Sequence, residues 1–433
     1  MIPLEGRVLA GLDEFMLRLG HLTVLCEAAS RVRSSWKRIT NEAADTLTKP
    51  VSVEPSSAEA VAQYLFRKKL CPVVNVTSPK QAQDFRYPTL TVEGPGKNLR
   101  STDGKTPAVW WQDFCLAAPE VRSRVGTVSS TGKSGSKTAL SHVCDWAALL
   151  DLITPSAELS HAARLLIRLD VSAGSSGSAN PYIHGCDRIV FAVSALRGDF
   201  DLFARFAPKL IKAGQPIRKS TGRELFAETI EQIAIEAERA RHLSSSRQYK
   251  LFQQLRELEK TAARSRKETG ETSTAWHRAA SRLETYVDLG LLEKARRGEE
   301  EKYEYVYYST SRLEDAVDSV AAASSAEGWV EEHLIRVLFG KQCRSELHDA
   351  EITSMIRSVS NALELPTRVF PIDVVAQGLA WLKAKEGAPI SLGTSRTAVE
   401  EFAKRNPDQA RLSRGSFGDR AEFVSIQPVL LRN

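Results

Sequence analysis

The chain has 433 residues, a formal net charge of +6 at pH 7 and 42% hydrophobic residues. This length and composition are ordinary for a soluble globular protein with about two to four domains that each have a core. No apolar run approaches the roughly 20 residues that cross a bilayer, which excludes a protein with a membrane-spanning helix. The mild basic excess permits contact with nucleic acid but does not require it.

Cysteine usage and the start of the chain indicate the compartment. The six cysteines are scattered, and none forms a CxxC pair. A chain of this size needs no disulfide framework, so we expect reduced and mostly buried thiols. The first residues, MIPLEGRVLAGLDEF, lack a basic stretch followed by an apolar one and do not resemble a signal peptide. We therefore expect a soluble cytoplasmic protein.

The first 125 residues combine helix and strand patterns. Apolar residues at helical spacing predict a helix within residues 10–48, and a second helix follows near residues 56–69. Both helices become basic toward their ends. Two β-rich runs follow at 71–77 and 87–93, with a third candidate strand at 109–114. Residues 1–125 are therefore predicted to form a small α+β domain.

Two loops rich in Gly, Ser and Thr, at 126–137 and 172–180, enclose two predicted helices. These helices span Lys137–Leu152 and Ser156–Leu169, with a Thr-Pro turn between them. A helix, a short turn and a second helix are the parts of a helix-turn-helix unit. Residues 137–214 are therefore predicted to be a helical region that contains one candidate unit of this kind.

From Asp187 onward the pattern is almost entirely helical. Amphipathic segments recur along the rest of the chain, and a strand is predicted near its end, with helices at 189–196, 200–210, 223–243, 247–265, 311–323, 328–339, 345–363, 371–385 and 395–404 and the strand at 422–426. No sequence repeat of fixed period is present, which argues against a solenoid. We predict a multidomain fold that is mainly α with α+β parts, in which residues 215–323 form one domain and residues 324–433 form a C-terminal helical domain.

Residues 272–310 have the most specific design in the chain. Apolar residues at helical spacing form one stripe of a helix over 274–289, at Trp276, Ala279, Ala280, Leu283 and Val287. Gly290 follows, a residue that readily takes the left-handed conformation that ends helices. Two short runs with strand character come next, at 291–295 and 303–308. Between these runs lie two arginines, a glycine and three glutamates.

This helix, glycine stop, basic turn and aromatic return strand resemble the recognition helix and wing of a winged helix-turn-helix domain. The resemblance implies that the polar side of the helix faces the major groove of DNA, with Arg278, Ser281, Arg282 and Thr285 as the reading residues. It implies that Arg296 and Arg297 of the wing contact phosphate or the minor groove. Glu299, Glu300 and Glu301 oppose this role, because they add negative charge beside the phosphates. An acidic wing suits winged helices that bind other proteins.

The motifs that would indicate an enzyme fail on spacing. Gly126 and the Gly132-Lys133 pair are separated by five residues, whereas a phosphate-binding P-loop needs four. His161 and Arg164 have the HxxR spacing of tyrosine recombinases, but the sequence after Glu386 has no tyrosine. The histidines and cysteines lack the paired spacing of a zinc site. We therefore predict no catalytic residue, no metal and no cofactor.

These patterns predict a non-enzymatic protein that binds double-stranded DNA as a subunit of a larger prokaryotic machine for phage defence, restriction or chromosome organisation. Membership of such a machine is inferred by analogy, because the flanking domains are larger than those of a stand-alone DNA-binding protein. Protein partners are expected, among them an ATPase, but no membrane. Two alternatives stay open. One is a scaffold or adaptor whose winged helix binds protein, and the other is a nuclease whose site is assembled from residues distant in sequence.

Overall fold

The computed structural model describes the following residues: 2–11, 19–20, 22–23, 26, 51–52, 90–92, 100–101, 146–153, 159–169, 183, 185–267, 274–299, 302–340, 342–365, 368–414, 421–427 and 430. The chain divides into two compact units. The smaller unit comprises Gly20–Ala163 and Gly177–Pro181. The larger unit comprises Met1–Leu19, Arg164–Ser176 and Tyr182–Asn433, so the domain boundaries predicted at 214/215 and 323/324 both lie inside it.

The described part of the smaller unit contains an antiparallel sheet of three short strands. These are β1 (Val51–Ser52), β2 (Leu90–Val92) and β3 (Arg100–Ser101), with β2 in the middle. Strand β2 falls within the run predicted at 87–93. The strands predicted at 71–77 and 109–114 lie outside the described residues, as does most of the helix predicted within 10–48.

Helices dominate the remaining described chain, which confirms a mainly α fold with small sheets. The elements in chain order are α1 (His161–Arg168), α2 (Asp187–Gly198), α3 (Phe200–Lys212), α4 (Lys219–Arg239), α5 (Ser245–Lys267), α6 (Thr274–Asp288), β4 (Leu292–Glu299), β5 (Lys302–Ser309), α7 (Ser311–Ala322), α8 (Ala326–Glu332), α9 (Leu334–Phe339), α10 (Asp349–Leu363), β6 (Val369–Pro371), α11 (Ile372–Lys385), α12 (Leu392–Arg405), β7 (Ala410–Arg414) and β8 (Ala421–Ile426).

Helix α2 lies at the centre of the larger unit. Its sequence, DRIVFAVSALRG, is apolar on nearly every side, and eight of its side chains are buried. A helix that is apolar all round needs neighbours on all sides. Helix α2 accordingly packs against α3, α8, α9 and α11. It therefore connects the elements before residue 310 with those after residue 349.

The elements from α3 to β5 form a first module. Helix α3 is followed by Ile217, whose N–H donates to the Tyr307 carbonyl at 2.8 Å and whose carbonyl accepts from the Tyr307 N–H at 3.0 Å. Three helices follow, with α4 packed against α3, α5 and α6. The hairpin of β4 and β5 closes the module. Strand β5 thus lies between Ile217 and β4.

The elements from α10 to β8 repeat this order. Helix α10 leads to the short strand β6, then to α11 and α12, and then to the hairpin of β7 and β8. The sheet order is β6-β8-β7, so the last strand again lies between the other two. The helices are in close contact, since a Cβ on Gly378 of α11 would lie 2.5 Å from Cγ2 of Val359 on α10. The two modules therefore share the order of helix, strand, helices and hairpin, but the second has two helices between the strand and the hairpin where the first has three.

A second arrangement of this kind is at 349–426, whereas much of the region 137–214, where a helix-turn-helix unit was predicted, lies outside the described residues. In that region the structure describes a single helical turn at 146–149, which ends beside Asp151 at a φ of 54°, and the helices α1, α2 and α3. The hairpin of β7 and β8 was predicted only as one final strand. Strand β8 corresponds to that prediction. Strand β7 was not predicted, because its sequence, ARLSR, has little alternation of apolar and polar residues.

The segment before residue 11 is extended and runs through the larger unit. Its alternate residues Ile2, Leu4, Val8 and Ala10 are buried. The backbone N–H groups of Glu5 and Arg7 donate to the Asp201 carboxylate of α3, at 3.0 and 2.7 Å. This segment therefore covers one side of the first module.

Candidate nucleic-acid interface

The predicted helix and hairpin of residues 272–310 are confirmed as α6, β4 and β5. Gly290 ends the helix at a φ of 77°, as predicted. The strands are longer than predicted, and Arg296, Arg297 and Gly298 lie within β4 rather than in the turn. Neighbouring residues of a strand point to opposite faces, so Arg296 and Arg297 lie on opposite faces of the hairpin.

The base of the hairpin is fixed to the module. Val306 and Tyr307 are buried, and the Ile217 backbone extends the sheet at this point. The Glu284 carboxylate of α6 accepts a bond of 2.7 Å from the Tyr307 hydroxyl and one of 2.5 Å from the Lys294 ammonium. These contacts hold the root of the hairpin against α6.

The outer half of the hairpin has one basic and aromatic face. Lys294 and Arg296 alternate along β4 on the same face and pair across the ladder with Tyr307 and Tyr305. The Lys294 ammonium lies 4.2 Å from the centre of the Tyr305 ring, within the range of a cation–π contact. Arg296 is exposed, and Tyr305 is 46% exposed. A cationic face with an exposed aromatic ring is suited to a polyanion.

Arg297 lies on the other face of the hairpin. Its partner across the ladder is Glu304, and both side chains are exposed. An acidic residue directly opposite offsets the charge of the arginine. The two arginines predicted as one basic turn therefore lie on opposite faces of β4, and the acidic residue opposite Arg297 weakens the attraction of that arginine for an anion.

The polar side of α6 is buried. Ser281, Arg282 and Thr285 have relative exposures of 1%, 1% and 3%. The Thr285 hydroxyl donates to the Ser281 carbonyl of its own helix at 2.9 Å. The prediction that these three residues form an exposed face that reads DNA is wrong for this structure. Of the predicted reading residues, Arg278 alone is partly exposed.

Arg282 has structural partners on three sides. Its Nε donates to the Asp199 carboxylate at 2.7 Å, and one Nη donates to the Leu9 carbonyl at 2.7 Å. The other Nη donates to the Arg278 carbonyl at 3.1 Å, and the guanidinium lies 5.1 Å from the centre of the Phe226 ring. Arg282 thus joins α6 to the start of α3 and to the segment before residue 11.

Asp199 is the acidic partner in this cluster. Burial raises the pKa of its carboxyl group, and the guanidinium of Arg282 and the N–H of Leu9 oppose that shift. A buried carboxylate is stable as an anion only while such partners stay in place. The cluster stabilises the fold and is inaccessible to a ligand.

Helix α5 has an exposed basic side that was not among the predicted site residues. Leu251, Leu255 and Leu258 are buried, whereas Arg247, Lys250 and Arg256 are exposed. The 23 residues of α5 contain seven basic residues and two glutamates. A count of charge along the sequence is the signal that could have found this helix.

The corresponding parts of the second module are closer to neutral. Lys404 and Arg405 of α12 and Arg411 and Arg414 of β7 are exposed. Arg405 forms an ion pair with Asp349 at 2.9 Å and approaches Glu401 at 3.9 Å. The second hairpin therefore has basic residues, but carboxylates lie beside the basic end of α12.

Among the residues that the structure describes, no group of three or more His, Cys, Asp and Glu side chains is arranged to hold a metal ion. Within the same residues no helix is long and apolar enough to span a bilayer. Comparison of the chain with protein-family models, with curated proteins and with solved structures finds no match.

Proposed function

We propose that this protein binds duplex DNA as a non-enzymatic subunit of a larger assembly, through winged-helix modules. The observation that supports it most directly is the β4–β5 hairpin. Its root is fixed to α6, in part through Lys294, and its outer half has Arg296 and Tyr305 exposed on one face. A two-stranded ribbon of this kind fits a DNA groove or follows the phosphate backbone.

The order of the elements supports the same proposal. A winged helix-turn-helix consists of a helix, a strand, further helices and a hairpin whose last strand lies centrally. The elements at 200–309, with Ile217 as the first strand, and those at 349–426 resemble this order. Two modules in one chain would contact a longer stretch of duplex than one module does.

Burial of the polar side of α6 changes the expected mode of binding. Since Ser281, Arg282 and Thr285 are not accessible, base edges are not read by these residues. Contacts from a hairpin to phosphate position a protein on DNA but carry little sequence information. We therefore expect binding that depends steeply on salt and weakly on sequence.

A protein-binding scaffold is the second candidate. The specific observation that favours it is on the small sheet of the second module, where Val369 and Phe423 are each 37% exposed. Exposed apolar side chains on a sheet face are a common feature of protein interfaces. The three glutamates of the first hairpin, at 299–301, also suit a protein partner better than DNA.

Fluorescence anisotropy with a labelled duplex of about 30 base pairs, titrated over a range of salt concentrations, tests the DNA proposal. Each phosphate contact contributes about −0.9 to the slope of log K against log salt concentration. Arg296→Gln should make the slope shallower by about 0.9, whereas Arg297→Gln and the exposed control Lys212→Gln should change it little. Wild-type protein that shows no salt-dependent binding would refute the proposal. Retention of a partner protein after nuclease treatment would then favour the scaffold.

A further inference from the structure

Helix α5 concentrates the positive charge of the chain. Its seven basic residues and two glutamates give it a net charge of +5 over 23 residues, where the whole chain of 433 residues has +6. The rest of the protein is thus close to neutral. Helix α5 is therefore a strong local source of attraction for a polyanion.

The described part of α5 is amphipathic. Leu251, Leu255 and Leu258 recur at helical spacing and are buried, and α5 packs against α4 and α6. On the outer side Tyr249 is 66% exposed, and its hydroxyl accepts a bond of 2.7 Å from the Gln253 amide. The outer side is therefore a stable polar surface on a helix that the core holds in place.

Three cations of this helix are available to a ligand. Arg247, Lys250 and Arg256 are exposed, and within the part of the chain that the structure describes none of them forms an ion pair. The exposed Arg405 of α12, by contrast, has carboxylates within 4 Å. A cation that is not held in an ion pair can contact an external anion.

Charge and length together indicate the anion. At 1.5 Å per residue α5 is about 35 Å long, which matches one turn of B-form DNA at about 34 Å. Duplex DNA has one negative charge per roughly 1.7 Å of its axis, so a helix of this length lies along many phosphates. A membrane surface fits less well, because binding there requires an exposed apolar face, and the leucines of α5 are buried in the protein.

We propose that the exposed half of α5, with Arg247 at one edge, Arg256 at the other and Lys250 between them, is a docking surface for the phosphate backbone of duplex DNA. This inference rests on the proposed function and deepens it. The surface binds without reading sequence, because its contacts are to phosphate. Tyr249 and Gln253 are neutral donors on the same surface, of the kind that commonly accompany arginine and lysine at phosphates.

The test compares full-length wild-type protein with the triple variant Arg247→Gln, Lys250→Gln and Arg256→Gln in the anisotropy titration. Glutamine keeps a helix-forming side chain and removes the charge. If each cation contacts one phosphate, the slope of log K against log salt should become shallower by about 2 to 3, with a loss of affinity of about 100-fold or more at about 0.1 M salt.

A matched control removes three other exposed cations, in the variant Lys212→Gln, Arg336→Gln and Arg344→Gln. It has the same net charge as the test variant, so equal slopes in the two variants would overturn the inference. Arg247→Lys with Arg256→Lys keeps the charges and should retain the wild-type slope. Circular dichroism and a thermal melt establish that every variant is folded.

Two further outcomes separate this inference from the function on which it rests. If Arg296→Gln weakens binding and the α5 variant does not, the α5 surface is refuted while DNA binding by the hairpin stands. If wild-type protein does not bind duplex, the proposed function fails as well. Binding to vesicles that contain phosphatidylserine, lost in the α5 variant while duplex binding is retained, would assign the surface to membranes and overturn the inference.

Discussion

Replacement of Arg282 by alanine separates a structural arginine from one that binds DNA. The substitution removes the ion pair with Asp199, the bond to the Leu9 carbonyl and the contact with the Phe226 ring. It leaves a buried carboxylate without its cation. Loss of one partner from a buried pair costs about 3–5 kcal/mol. We therefore expect Arg282→Ala to lower the free energy of unfolding by about that amount.

The pH dependence of the loss gives a second test. Without the guanidinium, the pKa of Asp199 should rise further, because burial then acts with less opposition. A native pKa above the unfolded value, which is about 3.9, means that the native state binds more protons over the interval between the two. The part of the loss in unfolding free energy that comes from Asp199 should therefore be small near pH 4. It should grow as the pH rises and level off once Asp199 is ionised.

Urea unfolding followed by tryptophan fluorescence measures this effect, since Trp329 is buried beside Phe200 and Phe203. The control Arg297→Ala removes an exposed arginine and should change the unfolding free energy by about 0.5 kcal/mol or less. In the double variant Asp199→Asn and Arg282→Met the loss should be smaller than the sum of the single losses. An Arg282→Ala protein of wild-type stability that no longer binds DNA would refute the structural role and restore the reading role.

Three further predictions concern other parts of the larger unit. Gly378→Ala places a methyl group against Val359, and this overpacking should destabilise the protein by about 1–2 kcal/mol, as measured by a thermal melt. In a Val359→Ala background the same substitution should cause no further loss of stability. The Lys383 ammonium donates to the Glu351 carboxylate at 2.9 Å, and this bond lowers the pKa of Glu351. Wild type should therefore be more stable than Glu351→Gln above about pH 4.5, and this difference in unfolding free energy should vanish as the pH falls through the lowered native pKa. Asp201→Ala removes the acceptor of two backbone N–H groups, and hydrogen exchange at Glu5 and Arg7 should become at least about tenfold faster, whereas unchanged exchange would show that Asp201 does not hold this segment.

Local patterns predicted most of the helices of the larger unit. The periodicity of apolar residues identified α2 to α7 and α10 to α12 within a few residues of their observed bounds, because helix formation depends on neighbours three and four positions apart. Gly290 and the hairpin after it were also predicted, since a glycine at a positive φ and two strands joined by a short turn are local features. The concentration of charge in α5 is likewise a simple count over neighbouring residues.

The candidate site depended on contacts between distant residues. Arg282 and Ser281 look like a solvent face by helical spacing, since arginine and serine are usually exposed. Asp199, which pairs with Arg282, is 83 residues earlier, and the Leu9 carbonyl is 273 residues earlier. Helical spacing gives no information about such partners, so it cannot reveal that the polar side of α6 is covered.

The amino-acid sequence by itself determined which segments are helices, where the first hairpin lies and where the positive charge is concentrated, because each of these depends on residues close together in the chain. Tertiary structure decided which of those faces are accessible. It buried the polar side of α6, where Arg282 bonds to the Leu9 carbonyl, and left Arg247, Lys250 and Arg256 of α5 exposed. The physical reason is that exposure results from packing between segments that are far apart in sequence.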